Sequence, residues 1–350
     1  MWNKKILSDR KNGGMDMDKT ISLSELKPGD IILFHKPKDS MISFLISLIT
    51  LSPVSHSGMI SSNPGYVIQE VLEGASRLPL SDPGERKLYI RRLQQEPDTS
   101  EVVKIAMKYV DEKLPYPFSN LIFLGMYILV SDFIPDTFEG GLVKKLLKLA
   151  TYELMKLVNK KRHPGTDVPP MVCSQFVAAC YDEAALNIGP EYKIHYNQKT
   201  SAGFLEKVLQ QLDEEQDKSF TLEKPEEGML LGASNSIGAA EDYCDQLVRH
   251  MQENTLLLAR PSKVSDEVIA ALYQYGTWLL KLLDDNTDFP DKDHATPEEI
   301  KNVLQELLRF QEAFITPGDL LSNTTNLMDM GLLTYTAEEL ARYLNENDPA

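Results

Sequence analysis

Residues 54–72 read Val54-Ser55-His56-Ser57-Gly58-Met59-Ile60-Ser61-Ser62-Asn63-Pro64-Gly65-Tyr66-Val67-Ile68-Gln69-Glu70-Val71-Leu72. Two apolar-rich runs flank Asn-Pro-Gly, a turn signal, so the stretch predicts a β-hairpin. Its first strand carries a histidine between two serines. Alternation places Val54, His56, Gly58 and Ile60 on one face, and Tyr66, Ile68, Glu70 and Leu72 on one face of the second strand. A carboxylate among apolar neighbours is costly unless paired. Glu70 is therefore expected beside His56, where it would fix the imidazole's tautomer as the third member of a triad does. Gln69 and Glu73 are expected on the solvated face.

Upstream, Leu26-Lys27-Pro28-Gly29-Asp30-Ile31-Ile32-Leu33-Phe34 reads as a turn entering a buried strand. Downstream, residues 87–93 suit a fourth strand. Residues 100–113 suit a helix, with Val103, Ala106, Met107 and Val110 on its apolar face. After Pro169-Pro170 the chain reads Met171-Val172-Cys173, and Phe176, Val177, Cys180 and Ala184 then recur at helical spacing. Cys173 thus stands where a helix begins, and unpaired N–H groups and the helix dipole there favour a thiolate. Cys180 and Cys244 fall mid-helix on apolar stripes and read as structural. Three cysteines are too few for a disulfide framework, and no CxxC pair suggests zinc. Of the remaining histidines, His35, His163 and His294 lie in polar loop contexts, His250 lacks a sequence partner, and His195 is the weaker alternative base.

The net charge of −16 argues against nucleic acid as a partner. It is concentrated: residues 206–350 hold 11 Lys and Arg against 29 Asp and Glu, and the first 205 are nearly neutral. That acidic part reads as helical. Val268, Leu272, Tyr275, Leu279 and Leu282 form one stripe, and Thr296-Pro297-Glu298-Glu299 and Thr336-Ala337-Glu338-Glu339 have the form of capping boxes. Residues 142–162 are amphipathic and basic, with Lys144, Lys145, Lys148, Lys156, Lys160, Lys161 and Arg162, and follow an apolar run at 121–130. The apolar runs 41–51 and 121–130 fall short of the ~20 residues that span a bilayer. With no secretory signal in the first 19 residues, the expectation is a cytoplasmic protein, with peripheral membrane contact through 121–162 as an option.

Taken in order, the Pro28-Gly29-Asp30 strand, Ser55-His56-Ser57-Gly58, Val67-Ile68-Gln69-Glu70-Val71 and Val172-Cys173-Ser174-Gln175-Phe176-Val177 resemble the circularly permuted NlpC/P60 proteins of the YiiX/YebB kind. Ordinary members place Cys before His; the permuted group reverses them, as here. Leu114-Pro115-Tyr116 resembles the family's Pro-Tyr element, which makes Tyr116 a candidate helper at the oxyanion site. The family's frequent Cys-Ser-Glu is here Cys173-Ser174-Gln175. The stretch Thr316 to Leu320 with Ser322 and Gly331-Leu332 resembles its closing segment.

The resemblance implies an α+β fold, a permuted papain-like antiparallel sheet or small barrel packed on helices, with an added all-α acidic region. It divides the chain into a tail (1–20), a hydrolase domain (21–205), a helical insertion (206–313), a returning segment (314–333) and a C-terminal helix or tail (334–350). It implies a thiol hydrolase acting on an amide bond in a peptide or cell-wall-type fragment, with Cys173, His56, Glu70 and Tyr116 at the site and no cofactor or metal. Alternatives are a lecithin:retinol-acyltransferase-like enzyme on an acyl substrate at a membrane surface, or a catalytically silent binding module.

Overall fold

A computed structural model of the chain describes residues 19–37, 47, 52–71, 74–112, 141–160, 172–197, 204–222, 263–283 and 293–345. The fold is mixed α+β with a mostly antiparallel sheet. In chain order the elements are β1 (Thr20–Ser22), β2 (Ile31–His35), β3 (Val54–Ile60), β4 (Tyr66–Val71), β5 (Gly74–Pro79), β6 (Leu88–Leu93), α1 (Ser100–Asp111), α2 (Gly141–Lys160), α3 (Cys173–Asn187) and α4 (Phe204–Glu214). Then come β7 (Phe220–Thr221), α5 (Asp266–Leu283), β8 (His294–Ala295), α6 (Pro297–Ala313), α7 (Pro317–Ser322), β9 (Leu327–Thr334) and α8 (Ala337–Asn345).

Seven strands form one sheet in the order β1-β9-β6-β2-β3-β4-β5, and the β1–β9 pair alone is parallel. Both faces of β2 are covered, which is why it reads as an unbroken apolar run. Ile31 and Leu33 join Met59, Ile68 and Tyr89 against Val102, Ala106, Phe176, Val177 and Cys180 of α1 and α3. Ile32 and Phe34 join Ile60, Val67 and Ile90 on the other face, under Ile21, Leu23 and Leu340.

The Pro-Gly-Asp turn works through named contacts. Gly29 has φ +81°, and a Cβ there would come within 2.7 Å of Thr99. The Tyr181 hydroxyl donates to its carbonyl at 2.6 Å. Asp30 is buried and takes a two-pronged contact from Arg92, Nε and Nη2 both at 2.6 Å. One side-chain pair thus locks the entry of β2 to the neighbouring β6.

A second core is all helix. Val143, Leu146, Leu147, Ala150 and Leu154 of α2 pack with α4, α5 and α6, and all five residues of the expected α5 stripe are buried in it. The helical layer is therefore not confined to 206–313. Helix α2 and the start of α4, expected within the hydrolase domain, share the core of the acidic helices, because α2 lays its apolar face along α5. Both capping boxes form: Thr296 and Thr336 exchange bonds with Glu299 and Glu339 at 2.8–3.3 Å.

Residues 314–333 supply α7 and β9, and β9 lies inside the sheet between β1 and β6. Gly331, at φ +96°, lets β1 approach; a Cβ would meet the Lys19 carbonyl oxygen at 2.2 Å. Thr20, expected in the tail, already belongs to β1. Among the described residues no helix is long and apolar enough to cross a membrane. The apolar run 121–130, most of the expected tail, the stripe around Cys244 and the segment around Tyr116 lie outside the described residues.

Candidate active site

Cys173 is the first residue of α3. The first α-type bond of that helix runs from the Phe176 N–H to the Val172 carbonyl at 2.8 Å, so the N–H groups of the opening turn have no partner within the helix. Ser174 is buried, and its hydroxyl donates to the Ile315 carbonyl at 2.6 Å, tying the head of α3 to the chain just before α7. The Cys173 side chain is buried.

His56 sits near the start of β3, half-buried and tilted against the Phe34 ring at 5.2 Å. The imidazole and the thiol act directly on each other. Burial alone would push the Cys173 thiol up, but the His56 charge, a hydrogen bond from His56 and hydrogen bonds from the Ser57 backbone and side chain outweigh it, and the thiol lies below its usual range. Burial likewise disfavours the imidazolium, yet the Cys173 charge and hydrogen bonds with Cys173 and Gln69 leave His56 above its usual value. Each group therefore favours the charged form of the other, as a thiolate–imidazolium pair does.

The third residue differs from the sequence expectation. His56 Nε2–H donates to Gln69 Oε1 at 2.7 Å, so the side chain that holds this imidazole is Gln69, not Glu70. Strand register is the reason. Met59 pairs with Ile68 and Ile60 with Val67, so even positions of β3 share a face with odd positions of β4. Gly58 confirms the placement, since a Cβ there would meet Gln69 Cβ at 3.0 Å. Gln69, expected in solvent, holds the ring; Glu70 lies on the opposite face, paired across β5 with Ala75. Its carboxyl is pushed up to about 8, first by burial and then by the Cys173 charge.

Tyr116 is outside the described residues. His195 is exposed, and its backbone N–H is bound by Asn326. Cys180 is fully buried, and burial pushes its thiol well up, so it lacks what distinguishes Cys173. Ser57 is a residue that sequence reading missed. It is fully buried, its hydroxyl has no hydrogen-bond partner, and its backbone and side chain both help hold the Cys173 thiol below its usual range. Its place next to His56 was visible; its role depends on where α3 docks. No group of three His, Cys, Asp or Glu among the described residues is placed to hold a metal ion.

A cysteine at a helix start, an imidazole favouring its thiolate and an amide fixing that imidazole have the chemistry that a nucleophile, a base and an orienting group require. The comparisons with known proteins place nothing beside it: no family model and no curated protein matches this chain.

Proposed function

We propose that this protein is a thiol hydrolase of the circularly permuted NlpC/P60 type, with a papain-like arrangement of sheet and nucleophile helix, that cleaves an amide bond in a peptide or cell-wall-type fragment. The observation that carries the reading is Cys173 at the start of α3 beside a His56 imidazole held by Gln69, an arrangement in which each of the pair favours the charged form of the other. The Cys173 thiolate attacks the carbonyl carbon and forms a C–S bond. The carbonyl electrons move to oxygen, where the Cys173 backbone N–H at the helix start can stabilise the oxyanion. His56 gives its proton to the departing amine as the C–N bond breaks. Neutral His56 then takes a proton from water, the hydroxide adds to the thioester, and the carboxylic acid leaves as the thiolate–imidazolium pair re-forms.

The alternative of acyl transfer at a membrane surface has less to draw on, since the apolar face of α2 is committed to α5 and the helical core. The test is to incubate the protein with matched amide and ester substrates and to look for an acyl adduct by mass spectrometry. The reading requires an acyl group on Cys173, loss of turnover in Cys173→Ser, and a loss of about 10²–10⁴-fold in His56→Ala. Adduct on another residue, or turnover that survives Cys173→Ser, would overturn it.

A further inference from the structure

Among the described residues, three buried polar atoms of β3 and β4 lack hydrogen-bond partners: Ser55 Oγ, Ser57 Oγ and Glu70 Oε2. The ladder brings two of them together. Extending the Met59–Ile68 register two residues sets Glu70 opposite Ser57, on the face that α3 covers with Phe176 and Cys180. Glu70 is only 4% exposed.

Among the described residues, few ionisable groups face it. Helix α3 presents Cys173 and Cys180, both acting on the carboxyl's surroundings as potential negative charges. Strand β5 carries Arg77, whose guanidinium lies 3.8 Å over the Tyr66 ring while its Nε donates to Ser61 at 2.8 Å. On α1, Lys108 lies 3.7 Å from Glu183 and Tyr109 donates to the same carboxylate at 2.7 Å. Among the described residues no cation acts on the Glu70 carboxyl, the His56 imidazolium lying on the other face of the ladder, so a carboxylate here would be desolvated without compensation and would put a second negative charge beside the thiolate.

We propose that Glu70 serves this centre as a neutral carboxylic acid, a positioning residue that keeps the single negative charge on the Cys173 sulfur and joins Ser57 in lining it with hydrogen-bond donors. This rests on the thiolate reading of Cys173 given above. It assigns Glu70 a task opposite to that of a triad carboxylate. A triad carboxylate must be charged to support an imidazolium, whereas this carboxyl must be uncharged to leave the thiolate undisturbed. Gln69 does the orienting, and as an amide it adds no charge.

The experiment is a pH titration of the full-length protein carrying ¹³C-carboxyl glutamate, followed by NMR, with iodoacetamide labelling of Cys173 at neutral pH in parallel. In the unsubstituted protein one glutamate should titrate near pH 8, and that signal should vanish in Glu70→Gln. In Cys173→Ser the same signal should move to lower pH, because the neighbouring negative charge is gone. Glu70→Ala, which removes the donor, should slow the labelling of Cys173, and Glu70→Gln should restore it to within about tenfold of the unsubstituted rate, since the amide mimics the protonated acid. A Glu70 signal in the ordinary carboxylate range beside a reactive Cys173, or a Glu70→Gln protein whose labelling falls more than about tenfold, would overturn this inference alone. A high Glu70 signal that ignores Cys173→Ser, with Cys173 labelling as an ordinary thiol, would overturn the thiolate reading and the coupling with it. The Cys173→Ser comparison does not depend on how well the Gln variant folds.

Discussion

Gln69 and Glu70 are neighbours in sequence with opposite tasks, and a strand alternation rule cannot assign them without the register. The hairpin closes with Ser61 N–H bound to the Tyr66 carbonyl at 3.0 Å, leaving four residues in the turn. One residue more or fewer would exchange every side chain of β4 between faces and put Glu70 on the imidazole. Cys173 and His56 were legible because their signals are local: a helix start after Pro-Pro, and a histidine in an otherwise apolar and serine-rich strand. Removing the Gln69 amide should free the ring; Gln69→Ala is expected to slow Cys173 alkylation or turnover by about 10–100-fold with little change in thermal stability. Stability itself should carry the mark of Glu70. Its folded pKa, about 8, lies above its ordinary value of 4.5. Between those two the folded protein holds a proton that the unfolded chain has released, so this contribution to stability is full below the ordinary value and is lost as pH rises toward 8. Glu70→Gln should flatten that decline, read as the denaturant midpoint at acidic and at mildly alkaline pH. An unchanged pH dependence would contradict the assignment.

At the level of elements, the Pro28-Gly29-Asp30 turn shows how a short motif acts through distant partners. The sequence announces the turn and the strand after it, but not that Asp30 is held by Arg92 of β6. Removing one member of a buried ion pair leaves the other uncompensated, so Asp30→Ala is expected to cost about 3–5 kcal/mol. Equilibrium unfolding would check it; a loss below about 1 kcal/mol would mean the pair is no more than a surface contact. The helix caps were legible because a capping box lies within four residues. The docking of α2 on α5 was not, because an amphipathic face states that it must be covered and not by what.

Over the whole molecule, strands some 310 residues apart in sequence meet in one sheet. Among the described residues strand β1 pairs with β9 alone, and β9 also pairs with β6, where Arg91 donates to the Leu327 carbonyl at 2.8 Å. A pairing across some 310 residues leaves no periodic trace in the sequence; a role for 314–333 was suggested by family resemblance alone. A fragment of residues 20–210 would lack β9, α7 and α8 together. It is expected not to unfold cooperatively, and a sharp thermal transition with retained thiol reactivity would contradict that.

The proposed chemistry rests on the charge state of one sulfur. The direct measurement is the rate of iodoacetamide alkylation at Cys173 as a function of pH, with peptide mapping to separate it from Cys180 and Cys244, in the unsubstituted protein and in His56→Ala. The expected result is labelling of Cys173 well before Cys180, with a midpoint below the ordinary thiol range that moves upward when His56 is removed. An ordinary thiol midpoint, the same in both proteins, would contradict the central claim.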